Sequence, residues 1–307
     1  MTSSSKYLIS IAGPTAIGKT AAAIQLAQHY HTEIISADSR QFYQEMSIGT
    51  AKPSPEELAA APHHFIGSHS IKDDINVGDF EREGLALLDD LFTKHNVVIM
   101  AGGSGLYIKA ITEGFDDLPE ADPAIRENLN TMFAEHGIGA LQERLQLADP
   151  EYYTRVDLQN PQRLIRALEV FESTGQPYSS YRTGNHRQRP FNIIKIALDM
   201  PREELYERIN KRVDIMMESG LLDEVTQLLP YRHLNALNTV GYSEIFDHID
   251  GKTDLSAAIA LIKQNTRRFA KRQLTWFRKD KDTHWFHPTD IPAKVNYING
   301  IITHSNA

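Results

Sequence analysis

Residues 13–20 read Gly13-Pro14-Thr15-Ala16-Ile17-Gly18-Lys19-Thr20. They fit the pattern G-x-x-x-x-G-K-[S/T] of a phosphate-binding loop. The residue types have physical reasons. Glycines let the backbone curl until successive N–H groups converge on phosphate oxygens. The helix that follows adds the positive end of its dipole. Lys19 brings a mobile positive charge to the outer phosphate, and the Thr20 hydroxyl suits Mg²⁺, which prefers oxygen ligands. The loop follows the apolar run 7–12 (YLISIA) and precedes the helically spaced AAAIQLAQHY, giving strand, loop, helix.

Three more short apolar runs read as strands, at 33–37 (EIISA), 96–101 (NVVIMA) and 191–198 (FNIIKIAL). Strands separated by helices predict an α/β fold, a P-loop NTPase-like core with a central parallel sheet flanked by helices. From Pro119 the pattern becomes helical without a convincing strand. Asp122-Pro123, Asp149-Pro150 and Asn160-Pro161 look like helix starts, an N-cap followed by proline at the first helical position. The expected organisation is a core of residues 1–118 and 186–307 with a helical insertion domain at 119–185. A long uninterrupted helix is expected from Asp254 to Arg278.

Composition narrows the function. The chain has 307 residues, and no cysteine, which removes disulfides, thiol catalysis and Cys-ligated metals. No window approaches the roughly 20 apolar residues of a membrane span, and the polar start lacks the features of a signal peptide, so a cytoplasmic protein is expected. The pair His63-His64 with His69 lacks metal-ligand spacing and reads as loop histidines. Net charge is −8, yet residues 263–281 carry eight bases against one acid. Arg268, Lys271 and Arg272 sit in that stretch, interleaved with Phe269, Trp276 and other apolar residues. Arg163, Arg166, Arg182, Arg187 and Arg189 form a second basic set. A polarised molecule with a basic rim is compatible with an RNA partner despite its net charge.

In a parallel sheet the carboxyl ends of the strands share one rim, where ligands bind. Asp38, after the second strand, should therefore lie near the phosphate loop as a base or a metal ligand. Strand 96–101 ends in Gly102-Gly103 with no metal-binding carboxylate, unlike the usual ATP or GTP enzyme. Arg208 and Arg212, four residues apart on the helix after the fourth strand, share a face. Arg212 is expected to reach the diphosphate.

The chain resembles the tRNA dimethylallyltransferases, or tRNA isopentenyltransferases (the IPP transferase family). The matching stretches are GPTAIGKT (13–20), ADSRQFYQEMSIGTAKP (37–53), AGGSGLYIKA (101–110), NPQRLIRALEV (160–170), TVGYSEI (239–245) and NTRRFAKRQLTWFRKD (265–280). They run through nearly the whole chain in the family's order. The resemblance implies transfer of a dimethylallyl group from dimethylallyl diphosphate to N6 of the adenosine just 3′ of the anticodon, in tRNAs reading codons that begin with U. It implies Lys19, Thr20 and Mg²⁺ on the diphosphate, Asp38 as base or orienter of the adenine amine, and Ser39, Arg40 and Gln41 flanking the target base. Ser104 stands where threonine is usual and keeps a hydroxyl for the substrate. Arg126 and the stretch Gln162, Arg163, Leu164, Ile165, Arg166 match positions that touch tRNA. Phe42 replaces a common valine, and with Tyr107 it is a candidate to stack on the extruded base. No zinc-finger extension follows, as in the short bacterial form, and a monomer is expected. Rival readings are a small-molecule kinase using ATP, a prenyltransferase of free AMP, and a non-catalytic RNA-binding sensor of NTP.

Overall fold

The computed structural model describes residues 5–305 except 74, 117, 120–121 and 183–186. Six strands form one sheet, β1 (Tyr7–Ala12), β2 (Ile34–Ser36), β3 (His63–His64), β4 (Val97–Gly102), β5 (Asn192–Leu198) and β6 (His284–Phe286). Their order is β3-β2-β4-β1-β5-β6, and every pairing is parallel. The helices are α1 (Lys19–Tyr30), α2 (Pro55–Ala60), α3 (Val77–Lys94), α4 (Gly105–Thr112), α5 (Pro123–Ala148), α6 (Pro150–Tyr153), α7 (Pro161–Thr174), α8 (Tyr178–Tyr181), α9 (Arg202–Glu218), α10 (Leu221–Gln227), α11 (Tyr242–Ile249), α12 (Leu255–Phe277) and α13 (Ile291–Ser305).

The four expected strands are present, shifted by a residue or two at their ends. Two more stand at the sheet edges. His63 and His64, expected in a loop, form β3, and His64 is held by Glu33 at 2.7 Å. Strands of two and three residues carry no periodicity to read; pairing with a longer neighbour makes them.

β1 is buried along its whole length, as expected for the central strand of a sheet covered on both faces. Tyr7, Ile9 and Ile11 pack with Ile24 and Leu26 of α1, Leu205 and Ile209 of α9 and Ile298 of α13. Leu8 and Ala12 pack on the other face with Phe80, Leu88 and Leu91 of α3 and Ile108 and Ile111 of α4. Each fully buried aliphatic side chain contributes about 1.5–3 kcal/mol. Phe42 belongs to this second face, buried among Phe65, Phe80 and Tyr107, and so is core rather than a stacking surface.

The chain divides into two compact units, residues 1–112 with 189–307, and residues 113–188. The first holds the sheet. The expected end of the insertion at 185 lies outside the described residues. The second unit is helical, built on Leu129, Leu141, Leu145, Leu164, Ile165 and Leu168. Its three Asp-Pro or Asn-Pro helix starts form as expected, with Asp122, Asp149 and Asn160 accepting from backbone N–H groups of the first turn. α5 is interrupted at Gly137, whose φ of +74° leaves the helical region.

One glycine fixes the functional rim. A Cβ on Gly102, at the end of β4, would lie 2.2 Å from the carbonyl oxygen of Ala37. Gly102→Ala is expected to force β2 and β4 apart and cost at least ~2 kcal/mol, read as a lower urea midpoint.

Candidate active site

The strand ends bring four segments to one rim: the loop after β1, Ala37-Asp38 after β2, Gly103-Ser104 after β4, and α9 after β5. Gly18 adopts φ +103° and opens α1, whose first turn has no acidic residue and no side-chain cap. Its N–H groups are therefore free for an anion. Lys19 Nζ donates to the Pro14 carbonyl at 2.8 Å, and Arg208 Nε donates to the Ala16 carbonyl at 2.9 Å.

Two cavities meet here, both within the sheet-bearing unit. The first, of about 750 Å³, is lined by the loop residues Thr15, Ala16, Gly18, Lys19 and Thr20 and by Arg208, Lys211 and Arg212. The second, of about 570 Å³, is lined by Ser39, Arg40, Ser104, Tyr107, Arg272 and Trp276 among others. Thr15, Asp38 and Arg212 line both. Asp38 thus faces a phosphate-loop chamber on one side and a half-apolar chamber on the other.

The electrostatics suit an anion. Burial pulls the Lys19 ammonium down from its ordinary value to about 8; the Asp38 carboxylate raises it and Arg212 lowers it further. Burial likewise lowers Arg212, with Asp38 opposing. Two desolvated cations beside one carboxylate gain from a further anion, because charge pairs strengthen away from water.

The IPP transferase family model matches residues 41–280. The chain belongs to the IPP transferase family. It is 59% identical to a tRNA dimethylallyltransferase of Christiangramia forsetii, over 92% of this chain and 93% of the relative. It is 53% identical to one of Cytophaga hutchinsonii, over 95% and 96%. Among solved structures it resembles the full-length tRNA isopentenylpyrophosphate transferase of Bacillus halodurans (TM-score 0.73, 36% identity, 98% of each chain). It also resembles a eukaryotic dimethylallyltransferase acting on tRNA (TM-score 0.78, 26% identity, 94% of this chain and 75% of that one). These likenesses do not favour the kinase reading.

Within this IPP transferase site the expected residues divide. Lys19, Thr20, Asp38 and Arg212 converge. So do Ser39 and Ser104: the Ser104 hydroxyl accepts from the Ser39 N–H at 3.0 Å and donates to the Ser39 hydroxyl at 3.1 Å. Arg40 lines the second cavity while donating to the Asn235 and Asn238 carbonyls. Other expectations are corrected. Ile17 buries its side chain and turns its N–H back to the Pro14 carbonyl at 3.4 Å, and Pro14, lacking an N–H, offers its carbonyl to Lys19 instead of a donor to phosphate. Gln41 is spent on the carbonyls of Thr50 and Ala51 at 3.3 and 3.0 Å and lines only the first cavity.

In the helical unit Leu164 and Ile165 are core, so their side chains face away from any RNA. Gln162 and Arg163 are exposed. Arg126 pairs with Glu169, which is fully buried and also meets Arg166 at 3.4 Å. Arg189 belongs to the other unit and forms an inward ion pair with Glu81 at 2.7 Å. In the basic stretch Lys263 pairs with Asp214 and Arg278 with Asp199, while Arg268, Lys271 and Arg272 remain exposed.

Sequence reasoning missed Gln273. From α12 its Oε1 accepts the Thr15 N–H at 2.9 Å and its Nε2 donates to the Gly103 carbonyl at 2.8 Å, tying the phosphate loop to the end of β4. The available signal was a glutamine in the buried register of α12 between Ala270 and Phe277. Glu224 was also missed. Its carboxylate accepts the N–H groups of Ser47, Ile48 and Gly49 and the Tyr242 hydroxyl, fixing the strap that leads into Thr50.

Proposed function

We propose that this chain transfers a dimethylallyl group from dimethylallyl diphosphate to N6 of the adenosine immediately 3′ of the anticodon, in tRNAs reading codons that begin with U. The observation that carries this reading is that Asp38 borders both cavities. The diphosphate lies in the first, on the N–H groups of the phosphate loop, Lys19 and Arg212. The adenine enters the second, with its amine at Asp38. The N6 lone pair forms a bond to the allylic carbon while the carbon–oxygen bond breaks and its electrons leave on the diphosphate. The N6 proton passes to Asp38. An exocyclic amine is a poor nucleophile because its lone pair is delocalised, and a positioned carboxylate offsets this. Lys19 and Arg212 stabilise the charge that grows on the leaving group.

Among the described residues no cluster of three His, Asp or Glu is placed to hold a metal. The oxygen donors at hand are the Thr20 hydroxyl and the Asp38 carboxylate in one cavity. That sparse set fits Mg²⁺, which usually keeps waters and substrate phosphate oxygens among its ligands. Held at Thr20 with the diphosphate, Mg²⁺ would add positive charge beside the leaving oxygens.

Arg268, Lys271 and Arg272 of α12 hold phosphates of the anticodon stem-loop; on the helical unit, taken by itself, Arg126, Gln162, Arg163 and Arg166 are the residues that contact tRNA. We take the working form to be a cytoplasmic monomer; among the described residues no helix is long and apolar enough to cross a membrane. Replacing both Arg268 and Lys271 with alanine is expected to reduce the salt dependence of tRNA binding by about two in slope, with the KM for dimethylallyl diphosphate unchanged. Filter binding across a salt series measures it.

The test of the function is product formation. The protein is incubated with Mg²⁺, dimethylallyl diphosphate and unmodified tRNA, and the digested nucleosides are weighed. A dimethylallyl gain on the adenosine 3′ of the anticodon is expected. No gain on any tRNA, together with ATP turnover on a small alcohol, would overturn the reading.

A further inference from the structure

Helix α12 turns Phe269, Arg272, Gln273 and Trp276 toward the second cavity. Their spacing of i, i+3, i+4 and i+7 puts them on one stripe. Gln273 is engaged with the phosphate loop. The two aromatic side chains are left 39% and 38% exposed, and Leu106, at the start of α4, is 45% exposed and lines the same cavity. Large apolar side chains exposed together around one cavity mark a binding surface.

The indole of Trp276 lies against the backbone at Gly105: a Cβ there would stand 2.2 Å from Nε1. Its N–H has no acceptor among the described residues. Gly105 adjoins Ser104, which is bonded to Ser39, next to Asp38. The platform therefore borders the path by which a group reaches the carboxylate. The Arg272 guanidinium stands over the Phe269 ring at 5.7 Å, with exposed Arg268 and Lys271 on the same helix. Flat apolar faces flanked by cations are the composition that holds single-stranded nucleic acid, bases on the rings and phosphates on the charges. A prenyl chain needs no cations, and it is tethered to a diphosphate in the other cavity.

We infer that Trp276, with Phe269 and Leu106, is the platform on which an unpaired nucleobase of the RNA stacks as the target adenosine is brought to Asp38. The inference rests on the tRNA reading above and names the residues that receive the base. The chain has two tryptophans. In a Trp285→Phe background the emission reports Trp276 alone. An anticodon stem-loop hairpin with an unpaired loop is expected to quench it, and a fully paired RNA of equal length and charge is not. Trp276→Ala is expected to raise the KM for tRNA by about tenfold or more, with the KM for dimethylallyl diphosphate unchanged. Trp276→Tyr should recover most of the loss, which separates stacking from a folding defect. Equal quenching by both RNAs, a rise in the KM for the diphosphate substrate instead, or failure of tyrosine to rescue a folded protein would overturn the platform. If the wild type prenylates no tRNA, the functional reading falls, while the quenching comparison still decides the platform on its own.

Discussion

Asp38→Asn is expected to lower kcat by about 10²–10⁴-fold while the enzyme still binds both substrates. Asparagine keeps the shape and can accept a hydrogen bond from the adenine amine, but it cannot take the proton. The comparison belongs near pH 6.5. The Asp38 carboxylate raises Lys19, so its removal lets the ammonium lose its proton at lower pH and would weaken diphosphate binding in alkaline buffer. Wild-type Lys19 is charged below about 8, and lowering the pH restores the ammonium in the variant, so the part of the loss that persists toward acid falls on kcat. Single-turnover assays with saturating RNA measure it.

Lys19→Met is expected to lower kcat/KM for dimethylallyl diphosphate by about 10²–10³-fold, the usual cost of one donor lost from a site of growing negative charge. The pH dependence has a definite sign. Free Lys19 titrates at about 8, below its ordinary 10.5. Wild-type kcat/KM, which reports the free enzyme, should therefore fall as pH rises through 8. Lys19→Arg should retain activity and move that limb to higher pH, because guanidinium keeps its proton. Stability responds in the opposite direction. Burial disfavours the charged lysine in the folded state, so the fold carries this cost below pH 8. The cost is relieved between 8 and 10.5, where the folded protein has lost the proton and the unfolded chain still holds it. Lys19→Met should accordingly raise the thermal midpoint at neutral pH while lowering kcat/KM as above, the pattern of a residue kept for function at the expense of stability.

The phosphate loop was readable because its meaning is local. Glycine spacing, the lysine and the flanking strand and helix lie within some two dozen residues. The same spacing did not tell which atoms face the phosphate, and Pro14 and Ile17 turn out to serve the loop's own structure. The carboxyl-end rim of a parallel sheet correctly placed Asp38 beside Lys19 and Arg212. What could not be read depends on distant partners. Gln273 acts on Thr15, 258 residues away, and Glu224 holds a loop about 175 residues earlier. A motif also marks a segment, not an orientation, so Leu164 and Ile165 fell among the RNA contacts although helical periodicity turns them into the core. Charge counts carry the same limit: of the eight bases in 263–281, Lys263 and Arg278 are consumed by Asp214 and Asp199.

On this reading diphosphate and adenine reach Asp38 from two different chambers. A crystal structure of the protein with Mg²⁺, the unreactive thiodiphosphate analogue of the prenyl donor and an anticodon stem-loop tests it most directly. The diphosphate is expected on Gly18, Lys19, Thr20 and Arg212, and the N6 amine within about 2.6–3.2 Å of an Asp38 oxygen. An adenine seated in the phosphate-loop chamber, or an Asp38 carboxylate turned away from the amine, would contradict it.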